Sequence, residues 1–137
     1  MNRVRRSLFT AISLSWLAAA AGAQEPAAAA AAPHVSVDAA RDALAKGEAI
    51  LIDIREPDEH AQGIAPEAQR LPLSQIQSRL GEIPKDSNKP VLLICRTQNR
   101  SGSLAKMLRA QGYAHVSYVD GGMKEWQQRG YATVAPR

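Results

Sequence analysis

Apolar residues in this chain gather in short blocks of two different periods. The run Ala49-Ile50-Leu51-Ile52-Asp53-Ile54 is almost continuously apolar and closes on polar residues. Val91-Leu92-Leu93-Ile94 repeats the pattern, and residues 115–119 form a third, weaker block. Unbroken apolar runs of this length suit strands covered on both faces, where alternation is lost because neither face meets water. Between these blocks the period becomes helical. Ser36 or Asp38 can cap a helix reaching Lys46, with Gly47 as its stop. Pro57 can open a helical turn to Gln62 that Gly63 closes, and Leu71-Pro72-Leu73 leads into a helix over residues 74–80 ended by Gly81. Residues 101–111 place Leu104, Ala105 and Leu108 on one face before Gly112. Gly121-Gly122 predicts a turn, and residues 123–129 a last helix. Strands alternating with amphipathic helices predict an α/β fold in which helices flank a central, mostly parallel sheet. Ligands of such sheets bind beyond the carboxyl ends of the strands. Cys95 follows the run Val91-Leu92-Leu93-Ile94 at that end.

Residues 1–33 do not share this organisation. Arg3, Arg5 and Arg6 precede an apolar run over residues 8–20 that ends in Ala21-Gly22-Ala23, the layout of a cleaved signal peptide over residues 1–23. The run is shorter than the ~20 apolar residues of a membrane span, and no second one follows. The mature protein is therefore expected in the periplasm, with no membrane contact after cleavage. Arg5-Arg6 followed by Ser7, Leu8 and Phe9 also fits a twin-arginine signal, although Val4 stands where a serine or threonine is usual; the ordinary secretory route fits better. Residues 24–33, alanines with Pro26 and Pro33, have no face to bury and predict a linker. Residues 34–137 then form one domain, long enough for a single core. The leader removes three of the 17 Lys and Arg and none of the 13 Asp and Glu, leaving 14 against 13. That balance gives no reason to expect a nucleic-acid partner.

One cysteine in an exported chain excludes an internal disulfide and leaves a thiol that is buried and inert, paired between chains, or reactive. Its setting points to reactivity. Cys95-Arg96-Thr97-Gln98-Asn99-Arg100-Ser101 lies between a buried strand and a helix start, where backbone N–H groups lack intrahelical partners and the helix dipole favours an anion. Arg96 and Arg100 add full positive charge. Both effects favour a nucleophilic thiolate and draw an anionic substrate to the same loop. Cys95 is the candidate nucleophile, and Arg96, Thr97, Gln98, Asn99 and Arg100 are the candidate substrate-binding residues. Asp53, Arg55 and Glu56 read as hydrogen-bond and ion-pair partners that fix a strand end, with Asp53, Arg55 and Ser101 supporting the site. His34, His60 and His115 are scattered around a single cysteine, so no metal or cofactor is expected. Trp126 reads as a core residue of the last helix.

Three blocks in order make the chain similar to the rhodanese family over about residues 34–134. The first is Asp53-Ile54-Arg55-Glu56-Pro57 with Glu59, Gly63, Pro66, Ala68 and Leu71-Pro72-Leu73. The second is the loop from Cys95 to Ser101, and the third is Gly112-Tyr113 with Val116, Gly121-Gly122, Trp126 and Gly130. The resemblance implies a rhodanese-like fold and a two-step reaction. Cys95 would take sulfur from thiosulfate or a similar donor, hold it as a persulfide, and pass it to cyanide, a small thiol or a protein thiol. It also implies that Arg96 and Arg100 help hold the donor's oxyanion. Three departures stand out: Gln98 replaces a common glycine, which would strain the loop if φ there were positive. Ile64 and Glu67 replace a histidine and a glycine of the first block and are expected to alter a neighbouring turn. A cysteine phosphatase or arsenate reductase is the rival enzyme, but it needs five residues between cysteine and arginine, and here there are four. A sulfur carrier or protein-binding module with little turnover is the rival of another class.

Overall fold

The structure, a computed structural model, describes residues 31–137. The predicted signal peptide and residues 24–30 of the predicted linker lie outside the described residues. The elements, in order, are β1 (His34–Val35), α1 (Val37–Ala45), β2 (Ile50–Asp53), α2 (Pro57–His60) and β3 (Gln69–Arg70). They continue with α3 (Ile76–Arg79), β4 (Val91–Ile94), α4 (Asn99–Ala110), β5 (Val116–Val119) and α5 (Gly122–Gln128). The strands form one sheet in the order β1-β5-β4-β2-β3. Every pairing within it is parallel, and an antiparallel bridge between Ile64 and Val134 lies outside it.

β4, at the centre of the sheet, and its neighbour β2 are covered on both faces, as their unbroken apolar runs require. Alternate residues divide between two cores. Ile52, Ile54, Val91 and Leu93 pack with Leu104, Ala105 and Leu108 of α4, whereas Leu51, Leu92 and Ile94 pack with Val37 and Ala40 of α1 and Met123 and Trp126 of α5. Trp126 is buried and donates its indole N–H to the Ala132 carbonyl at 2.9 Å. Ser36 caps α1 by accepting from the Ala39 amide at 3.1 Å. The predicted linker ends inside the domain: Ala32 is buried, and the Pro33 carbonyl accepts from the Tyr118 amide at 3.2 Å.

Four elements differ from the sequence expectation. β1 and β3 are two residues each, too short to show a period. The expected helix over residues 74–80 is a single α-turn, α3, between 3₁₀ turns at Leu73–Gln75 and Leu80–Glu82. Its entry is tied to the sheet by the Leu73 amide donating to Ile54, and Gly81 gives the second turn no side chain to pack. α4 begins at Asn99, two residues before the predicted start, because the Gly102 amide already bonds the Gln98 carbonyl at 2.8 Å.

β2 and β4 are neighbours, yet the chain leaves them in opposite directions across the sheet, to β3 and to β5. Their carboxyl ends therefore diverge and leave a crevice, the usual ligand position in such sheets.

Candidate active site

Cys95 stands one residue past β4, in phase with Val91 and Leu93, so its side chain joins the core on the α4 side. The residue is 1% exposed. Its Sγ lies 3.3 Å from the hydroxyl of Ser101, which is itself fully buried and 3.3 Å from the Gln98 carbonyl. A hydroxyl rotates. Against a thiol it can donate to Gln98 and accept from sulfur; against a thiolate it can turn and donate to Sγ.

The loop after Cys95 is held from behind. The Met123 and Lys124 amides, in the first turn of α5, donate to the Cys95 and Arg96 carbonyls, both at 2.8 Å. This approach demands a glycine at position 122, where an added Cβ would stand 2.5 Å from the Cys95 carbonyl oxygen and 2.7 Å from the Arg96 carbonyl carbon. Gly122 also has φ +57. On the donor side, the backbone N–H groups of residues 96–101 find no protein acceptor among the described residues. These are the orphan amides of the α4 start together with those of the loop before it, a ready set of donors for an anion.

Arg96 is exposed and makes no ion pair among the described residues. Thr97 is half-buried; Gln98 and Asn99 are exposed. All three line a polar hollow of about 400 Å³ that continues onto Lys124, Glu125 and Gln128. Gln98 has φ −145, so the strain expected there is absent. Among the described residues the one non-glycine with positive φ is Glu67, at +63. The cost of replacing a glycine thus falls at the turn before β3, away from the Cys95 loop.

Arg100 is placed differently from a free anion-binding arginine. Its Nη1 and Nη2 donate to the two carboxylate oxygens of Glu59 at 2.7 and 2.6 Å, a bidentate fork. Glu59 Oε2 also accepts from the Glu56 amide at 3.0 Å. The Arg100 hydrogen bonds are the main cause that brings the Glu59 carboxyl from its ordinary 4.5 down to about 2. Arg100 in turn is raised, first by Glu59, with a smaller contribution from Cys95.

Asp53 and Arg55 play the bracing part read from the sequence. Both are buried, with Arg55 Nε 3.0 Å and Nη2 2.7 Å from the Asp53 carboxylate. The remaining guanidinium donors reach the Glu59 and Gly63 carbonyls at 3.2 and 2.8 Å. Glu56 ties α2 to the turn before α3, accepting from the Ser74 amide at 3.0 Å and its hydroxyl at 2.7 Å. His60 is buried against Asp53, His115 bonds the Pro84 carbonyl and His34 lies beside Tyr118.

A buried cysteine thus stands at the carboxyl end of the central strand of a parallel sheet, followed by a loop of backbone donors without protein acceptors among the described residues. The sequence pattern described as "Rhodanese-like domain" matches residues 36–129. The chain belongs to the rhodanese family. A sulfurtransferase of Allochromatium vinosum is 42% identical over 89 residues, 65% of this chain and 81% of the relative. Among solved structures, the human single-domain sulfurtransferase TSTD1 superposes with a TM-score of 0.60 at 28% identity, over 72% of this chain and 97% of that one. The polysulfide-sulfur transferase homodimer of Wolinella succinogenes gives 0.63 at 27% identity, over 75% and 78%. In this rhodanese domain, two site residues carry no signal of their role in the sequence. Glu59 binds an arginine 41 positions away, and Gly122 touches the loop only through the fold.

Proposed function

We propose that this rhodanese domain is an exported sulfurtransferase that moves sulfane sulfur from thiosulfate, or a donor like it, to cyanide or a thiol through a persulfide on Cys95. The observation that carries the reading is a buried cysteine at the start of a loop whose six successive backbone amides have no protein acceptor among the described residues. The Cys95 thiolate attacks the outer sulfur of thiosulfate; the new S–S bond forms as the old one breaks, and sulfite leaves with its electron pair. The terminal sulfur of the persulfide is an anion, and the loop amides, with Arg96 at the rim, offset its charge. Cyanide then attacks that sulfur, thiocyanate departs, and the electron pair returns to Sγ. No metal or redox cofactor enters this balance.

Phosphate chemistry fits less well. Arg100, the cation such a reaction would place on a tetrahedral oxyanion, has its fork on Glu59. The names of the Allochromatium vinosum and human relatives point the same way. Export through residues 1–23 belongs to the same proposal, and N-terminal sequencing of the periplasmic protein, starting at Gln24, would bear it out. The enzymatic test is thiosulfate:cyanide turnover by the purified mature protein, with Cys95→Ser at background. Wild-type turnover in that variant contradicts the proposal.

A further inference from the structure

The Cys95 loop has different surroundings on its two sides. One side opens on the polar hollow described above. On the other, Asn99 and Arg100 begin a groove of about 560 Å³ that runs along α4 past Ser103, Leu104 and Met107, facing Leu73, Ile76 and Gln77. Residues 100, 103, 104 and 107 share one helical face, and Leu73, Ile76 and Gln77 present the matching spacing opposite. Met107 is 44% exposed, one of two large apolar side chains so exposed among the described residues. The one charged residue of the groove is Arg100, and Glu59 neutralises it. Such a groove has nothing to offer thiosulfate, which is small and doubly charged. It is continuous with the loop, apolar and electrically balanced, and so suits an uncharged apolar chain.

We infer that this groove is the acceptor subsite, and that the acceptor is a thiol carrying an uncharged apolar chain, which lies along α4 while its sulfur reaches the Cys95 persulfide. The inference rests on the persulfide reading above. In the transfer step the acceptor's thiolate, its proton already released to solvent, attacks the outer sulfur of the persulfide. The acceptor's S–S bond forms, the Cys95 Sγ–S bond breaks, and its electron pair returns to Sγ. The product is the acceptor's own persulfide, with no net oxidation. From Asn99 to Met107 the helix rises about 12 Å, which bounds the useful length of the chain.

The test is the specificity constant of thiosulfate-loaded protein for a series of ω-hydroxyalkanethiols of increasing length, each taken relative to cyanide. Burying each methylene should raise it roughly fourfold, levelling off near the groove's length. Met107→Glu, checked for native circular dichroism, should flatten that rise by at least about tenfold for the longest thiol. A flat series in the wild-type protein that still turns over cyanide overturns the subsite alone. A rise that persists in Met107→Glu overturns its location. Failure with every acceptor, cyanide included, overturns the persulfide reading on which both stand.

Discussion

Replacing Glu59 by glutamine keeps the length of the side chain and removes the charge that holds the Arg100 fork. The freed guanidinium sits at the start of α4, so Glu59→Gln should lower the thiosulfate KM by roughly fivefold, the order expected from about 1 kcal/mol of gained attraction near the surface. An unchanged or raised KM would show that Arg100 serves the donor best when clamped. The same pair predicts a pH effect. Because the folded Glu59 carboxyl is depressed to about 2 from an ordinary 4.5, its stabilisation is complete above pH 4.5 and is lost as pH falls toward 2. Urea midpoints of wild type and Glu59→Gln should therefore differ at pH 7 and draw together as pH falls from 4.5 toward 2. Asp53 bears a heavier structural part. Asp53→Ala leaves the Arg55 cation buried without its partner, at a cost of about 3–5 kcal/mol measurable by urea unfolding; a cost under 1 kcal/mol would mean that Arg55 escapes to solvent. The placement of Cys95 was legible because it is local: a cysteine with arginines between an apolar strand and a helix. The restraint of Arg100 was not, since a carboxylate 41 positions away announces nothing in the chain until α2 and α4 are packed.

The elements of this fold were legible where burial writes a period and illegible where geometry alone creates them. β2 and β4 are unmistakable in Ile50-Leu51-Ile52-Asp53 and Val91-Leu92-Leu93-Ile94 because both faces are covered. β1 and β3 form because a neighbouring strand offers its edge, and Gln69 and Arg70 are both exposed. The α5 start belongs to the second kind. Gly121 and Gly122 read as a turn, and their positive φ values of +81 and +57 agree, but the contact with the Cys95 and Arg96 backbone exists only in three dimensions. Gly122→Ala should push α5 away from the loop, break the hydrogen bonds from Met123 and Lys124, and lower turnover by at least about tenfold, since small displacements of a reacting group are costly. Melting should fall as well. If the variant keeps wild-type turnover, the α5 amides do not hold the loop in its working shape.

At the scale of the whole molecule, the parallel sheet with a core of helical side chains on each face carries the Cys95 loop at the end of its central strand. β4 lies at its centre, and the neighbouring loops leave a crevice above it. With one cysteine in the sequence, no second thiol of the same chain can resolve a persulfide once it forms. On the proposed mechanism the loaded protein then waits for an outside acceptor, and the burial of Cys95 favours that wait. Intact-protein mass spectrometry after thiosulfate treatment tests this most directly. The expected result is a species heavier by one sulfur atom, discharged by cyanide or a small thiol and absent in Cys95→Ser. Sustained turnover with no such species under rapid quench, or the same species in Cys95→Ser, would contradict a persulfide on Cys95.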